Sequence, residues 1–236
     1  MATKNPQSRI NSTAAINKVA ATWNAYRETE TPHTVHISGG NAKLGAIMNV
    51  SLPPVVTCHN CSGCKNYCYA VRTYNRFPDT AAGWNDNYML FLSDPAEYFR
   101  GINKAVKTQR FFRWHVSGDI VNTDYLQGMI LVARENPKCE FLAFTKAYEI
   151  INAAIADGWT IPENLHLIYS ASPGVAMHNP YRLPECHINF QDPALNTYHG
   201  GAEYVHQCGG NCTECAVAGC GCFFLKQGDV TIINQH

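Results

Sequence analysis

The chain has 236 residues with 18 Lys and Arg against 18 Asp and Glu, so its formal net charge at neutral pH is zero, and it carries 10 His and 11 Cys. An apolar fraction of 46%, with 15% charged and 11% aromatic residues, describes a globular chain able to bury its own core, which excludes a disordered tail and a collagen-like fibre. Neutrality argues against a protein built to coat nucleic acid, and the longest apolar runs, such as residues 141–144, are far too short to span a bilayer.

The N-terminal stretch MATKNPQSRINSTAA has no apolar h-region, so no secretory signal is read and a reducing, cytoplasmic setting is expected. Ile16, Val19, Ala20 and Trp23 form a helical stripe within residues 12–27, with Ser12 or Thr13 as its cap. A short strand at TVHIS ends in Gly39 and Gly40, and LGAIMNVSLPP then leads into the first cysteine loop. Beyond the loop, Trp84, Tyr88, Phe91 and Leu92 mark a helical face that stops at Ser93. The next helix opens with Asp94 as cap, Pro95 in the first turn and Glu97 three residues on, the pattern of a capping box. Arg100, Lys104, Lys107, Arg110 and Arg113 follow with no acid between Arg100 and Arg113. Residues 100–113 thus offer either a solvated helix face or a surface for phosphate backbone.

From residue 112 strands and helices alternate. FRWHVSGD is a strand running into a turn, Leu126, Met129, Ile130 and Ala133 make the next helical stripe, and CEFLAFTK is a second strand. Ile150, Ile151, Ala154 and Ile155 form a helix ending at Asp157 and Gly158, and LHLIYS and CHINF are further strands. The stretch SASPGVAMHNPYRLPE between them lacks helical periodicity. The repeat predicts one α/β domain over residues 1–236, with a mostly parallel sheet and right-handed crossovers, either open or a partial (β/α) barrel. Ligands of such sheets bind beyond the C-terminal strand ends, which here carry Ser117 and Asp119, Thr145 and Lys146, and Ser170 and Ser172. Asp119, Lys146 and His115 are therefore candidate catalytic or charge-pairing residues beside a metal site, against plainer roles as a turn cap, a solvated cation and a strand residue.

Eleven cysteines in a reducing compartment are not expected to be disulfides. Cys139 and Cys186 sit in apolar strand-like segments and are read as core residues. The other nine form two groups, a pattern that points to metal. Cys58, Cys61, Cys64 and Cys68 follow C-x2-C-x2-C-x3-C, the spacing of ferredoxin-type [4Fe-4S] loops; zinc, which is more often gripped by two separated pairs, is the alternative. Cys208, Cys212 and Cys215 follow C-x3-C-x2-C, with Cys220 or Cys222 as a fourth ligand and His199, His206 or His236 as substitutes. That tail, residues 208–222, lacks apolar alternation and reads as a loop held by its metal.

The opening SLPPVVTCHNCSGCKNYCYA, followed by FRWHVSGDI, Tyr125-Leu126, FLAFTKAYE and a cysteine-rich tail, resembles the gene product 88 family of phage and prophage proteins. The resemblance covers about four fifths of the chain and implies Cys58, Cys64 and Cys68 in the first loop and Cys212, Cys215 and Cys220 or Cys222 in the tail, with Cys61 an addition to the family opening. If the chain is phage-encoded, its place is the host cytoplasm. The CYA ending and the Gly-Asp after a strand are also similar to radical S-adenosylmethionine (SAM) proteins, a likeness that implies Ser117, Gly118 and Asp119 at the methionine end of a SAM site. Three readings follow: an iron–sulfur protein working with a redox or protein partner, a divergent radical-SAM-like enzyme, and a zinc-stapled module binding protein or nucleic acid through residues 100–113. None calls for a membrane.

Overall fold

The structure, a computed structural model, describes residues 10–234. Ser12 caps α1 (Thr13–Tyr26) by accepting from the Ala15 amide at 3.1 Å, and the predicted stripe buries Ile16, Val19 and Trp23. Next come β1 (Ile37–Ser38), β2 (Met48–Val50), α2 (Cys61–Cys64), α3 (Tyr69–Arg76), α4 (Pro78–Ser93) and α5 (Pro95–Val106). Asp94 caps α5 by accepting from the Glu97 amide at 2.9 Å, but the Glu97 carboxylate pairs with Arg100, so the capping box is half made. The alternating part comprises β3 (Phe111–Trp114), α6 (Thr123–Glu135), β4 (Glu140–Thr145), α7 (Tyr148–Ala156), β5 (Leu165–Ser170) and β6 (Glu185–Asn189). The chain closes with β7 (Val205–Gln207), α8 (Cys212–Val217) and β8 (Val230–Asn234). No helix among the described residues is long and apolar enough to cross a membrane.

The strands form one sheet in the order β1-β2-β3-β4-β5-β6-β8-β7, parallel throughout except for β1. This is an open, mostly parallel sheet; pairing of its edges β1 and β7 into a barrel is not observed among the described residues. Alternation of side chains separates two faces. Phe112, Trp114, Phe141, Ala143, Leu167 and Tyr169 join Tyr98, Tyr125 and Tyr148 in the core beneath α4–α7. Burying each large side chain there stabilises by about 1.5–3 kcal/mol, so this cluster outweighs any single hydrogen bond in holding the helices to the sheet. Leu142, Ile168 and Cys186 point the other way, against Leu44, Ile47, Ala216, Phe223 and Leu225.

Two expectations are corrected. The tail at residues 208–222 is not a bare loop: it contains α8 and a 3-10 turn at Cys222–Phe224, and Ala216 and Phe223 anchor it on the sheet face opposite the helices. Anchors at irregular spacing leave no periodicity to read. Residues 100–113 are likewise not one surface. Lys104, Lys107 and Arg110 are exposed at the end of α5 and in the following turn, whereas Arg113 is a β3 residue lying 4.3 Å over the Phe144 ring, on the tail side of the sheet.

Candidate metal centre at the strand ends

The first cysteine loop leaves the C-terminal end of β2 and crosses the ends of its neighbours. β2 is stitched to β3 by His115 N–H donating to the Val50 carbonyl and Leu52 N–H to that of Ser117, both at 2.9 Å. Gly118 packs so closely here that a Cβ would stand 2.6 Å from that of Leu52 and 2.7 Å from Thr57 Oγ1, and its φ of +83° is a conformation glycine adopts without strain. The loop itself is tied from three sides. Asn60, at φ +49°, donates through Nδ2 to the Lys146 carbonyl at 2.7 Å; Asn11 Nδ2 donates to the carbonyls of Lys65 and Cys68; and the Tyr69 hydroxyl donates to the Val116 carbonyl. Gly63 lies against Pro173, where a Cβ would be 2.0 Å from the carbonyl oxygen.

The polar strand-end residues meet beneath that loop. Asp119 is buried; its Oδ1 accepts from Thr145 Oγ1 at 2.6 Å and the Ile120 amide at 2.7 Å, and its Oδ2 accepts from the Lys146 amide at 2.7 Å. The carboxylate therefore locks the end of β3 to the end of β4. Burial pushes its pKa up, against the pull of these hydrogen bonds. Lys146 Nζ donates to Ser170 Oγ at 3.0 Å. Burial lowers the ammonium's pKa, but Cys64 and Asp119 beside it outweigh burial and hold it above its ordinary value. His115 takes no part: it points under α6, with Nε2 3.0 Å from the Tyr125 hydroxyl.

Within the loop the thiols meet in two hydrogen-bonded pairs, Cys58 with Cys61 and Cys64 with Cys68. The bond from Cys68 pulls Cys64 down to about 6, against its burial and helped by Lys146. The bond from Cys58 lowers Cys61, while the partners Cys58 and Cys68 are raised. No three His, Cys, Asp or Glu side chains among the described residues stand close enough to share one ion. Four thiolates on one tethered loop are the donor set of a tetrahedral zinc site and of a [4Fe-4S] cluster alike. Ser117 Oγ and Ser172 Oγ, buried just beyond the ends of β3 and β5, have no hydrogen-bond partner among the described residues.

The second cysteine group lies on the sheet face opposite the helices. Cys222 Sγ is 3.7 Å from Thr231 Oγ1 of β8, Cys215 and Cys220 are hydrogen-bonded, and Cys208 and Cys212 are their electrostatic neighbours. Burial pushes Cys222 and Cys186 up to about 12. Cys186 is a core residue, as its segment implies, and it interacts electrostatically with Cys222 of the tail and with Lys146, Arg113 and Lys43. Cys139 is buried under the helices. Of the histidines read as substitute ligands, His206 lies against Gly221 beside Cys215, His199 lines a cavity away from both groups, and His236 is outside the described residues. Sequence reasoning missed Asn60, Asn11 and Arg113. The first two are polar residues in loops whose partners are distant in sequence, and Arg113 was hidden in a run of basic residues.

The family model described as gene product 88 matches residues 18–220. Gene 88 protein of Mycobacterium phage L5 is 28% identical over 155 residues, covering 59% of this chain and 63% of that protein, so the chain spans a little under two thirds of the relative's length. Neither match is to a radical SAM protein. No solved structure matches the chain.

Proposed function

We propose that this chain, which belongs to the gene product 88 family, carries a [4Fe-4S] cluster on Cys58, Cys61, Cys64 and Cys68 and serves in redox or electron transfer. The observation that carries the reading is the placing of two thiol pairs, Cys58 with Cys61 and Cys64 with Cys68, on one loop over the strand ends, with the Lys146 ammonium beside Cys64. A cluster bound there supplies one-electron chemistry. The chain's own residues create its surroundings. Lys146, held by Ser170, stabilises negative charge on the thiols; Asp119 fixes the backbone from which Lys146 projects; and the buried hydroxyls of Ser117 and Ser172 are free to donate to sulfur. The tail group of Cys208, Cys212 and Cys215, with Cys220 or Cys222, is a second metal site of the same protein. Its partner would be a redox protein of the host cytoplasm, in keeping with the phage relative.

A second reading, a radical-SAM-like enzyme, draws on one feature: the cysteine loop follows the first parallel strand, and Ser117, Gly118 and Asp119 follow the next. A SAM-dependent change in the spectrum of the reduced protein would favour it over simple electron transfer. The main reading is tested with Cys64→Ser and Cys139→Ser variants purified without oxygen. Loss of visible absorption in the first and its retention in the second are expected; unchanged absorption in Cys64→Ser would sink the assignment of the first loop.

A further inference from the structure

The crossover from β5 to β6 differs from the two before it: residues 171–184 contain Pro173, Pro180 and Pro184 and supply no helix. The register pairs Tyr169 of β5 with Glu185 of β6, and Tyr169 faces the helices, so Glu185 and His187 occupy the same face where β3–β5 present aromatic and aliphatic side chains. Two polar groups thus stand where the fold elsewhere buries apolar ones. A cavity of about 350 Å³ opens beside them, lined also by Arg182, Thr197, Gly200 and Gly201.

His187 is 4% exposed and uses both ring nitrogens: Nε2 lies 3.0 Å from Glu185 Oε2, and Nδ1 lies 2.8 Å from Thr197 Oγ1. An ionised carboxylate only accepts, so the ring N–H sits on Nε2, and the Nδ1 lone pair faces the threonine hydroxyl. Glu185 is oriented in turn, its Oε1 accepting from Asn179 Nδ2 at 2.9 Å. The order carboxylate, imidazole, hydroxyl on a cavity wall is that of an activated nucleophile. Gly200 and Gly201, at φ +97° and +96°, line the same cavity with no atom within 4 Å of where a Cβ would stand, and their amides make no hydrogen bond among the described residues. Such amides are the kind of donor an oxyanion requires.

We infer that Thr197, His187 and Glu185 form a second site, separate from the cysteine groups, that transfers the acyl group of a small ester. Thr197 Oγ bonds to the ester carbonyl carbon while its proton passes to His187 Nδ1. The tetrahedral species expels the alcohol, which takes that proton as the carbon–oxygen bond breaks. Water then attacks the threonyl ester, again losing a proton to His187, and releases the acid and free Thr197.

The test treats the full chain with a fluorophosphonate, which loses fluoride on reacting with an activated hydroxyl, and maps the adduct by peptide mass spectrometry. p-Nitrophenyl acetate hydrolysis is followed alongside. An adduct on Thr197 is expected, absent from Thr197→Val, retained in Thr197→Ser, and formed roughly a hundredfold or more slowly in His187→Gln. If buried His187→Gln does not fold, the valine and serine variants at the half-buried Thr197 still decide. No adduct at Thr197, an adduct only elsewhere, or equal rates with and without His187 would overturn the inference.

Discussion

Acid should reveal the buried imidazole of His115. The residue follows β3 with φ +54° and is 3% exposed; its Nε2 is held by the Tyr125 hydroxyl, itself 2.6 Å from that of Tyr98. Burial, helped by Arg113, pulls its pKa from 6.5 down to about 3. The folded value lies below the unfolded one, so only the unfolded chain takes up the proton as pH falls below the ordinary histidine range. The stabilisation is therefore complete above that range and is lost progressively toward the folded value. At pH 5 the folded imidazole is still neutral, so the loss is set by the unfolded pKa and amounts to about 2 kcal/mol relative to pH 7. His115→Asn removes the titration and tolerates the left-handed backbone. Urea midpoints of wild type and variant, measured anaerobically with the same metal complement at pH 7 and pH 5, give the difference directly. Wild type should lose about 2 kcal/mol more than His115→Asn; equal losses would refute a neutral buried imidazole.

Gly63→Ala would drive a methyl into the Pro173 carbonyl, 2.0 Å away; the chain should lose the iron assigned to the first loop, about four atoms, while far-ultraviolet circular dichroism is kept, and full iron content would contradict the packing. Asp119→Asn turns one acceptor oxygen into a donor facing a hydroxyl and backbone amides. It should cost about 1–3 kcal/mol in urea unfolding, and no change would show that the clamp between β3 and β4 contributes little. Asp86 receives Tyr26 at 2.6 Å and His33 and His36 at 2.8 Å each. Burial raises its pKa, but these partners outweigh burial and hold it below the usual carboxylate value. Its contribution is therefore present above the ordinary aspartate pKa and is lost as pH falls through the depressed one. Asp86→Asn should flatten the fall in thermal midpoint between pH 5 and pH 3, and an unaltered fall would remove the three-partner account.

Where a period ran unbroken, the sequence was readable. The Ile16–Val19–Trp23 stripe of α1 and the strand within CEFLAFTK appear as expected, and in that strand Phe141 and Ala143 turn toward the helices and Leu142 away. The alternation of strands and helices also led to Ser117, Asp119, Lys146 and Ser170 as neighbours, because parallel strands bring their ends together. What failed to show was contact between residues distant in sequence. Phe223 is a core residue because it meets Phe111 at a ring distance of 5.0 Å, a relation no local pattern encodes. Arg113 looked like the last charge of a basic run, yet the helix ends at Val106 and strand alternation turns Arg113 onto the tail side. β2 and β7, of three residues each, escaped notice as strands, as did the five-residue β8.

The most direct test of the central claim is the iron, acid-labile sulfide and zinc content of protein purified entirely without oxygen. The proposed function predicts about four iron and four sulfide per chain from the first loop, and about eight of each if the tail group also holds a cubane. Zinc without sulfide, in protein never exposed to air, would contradict it.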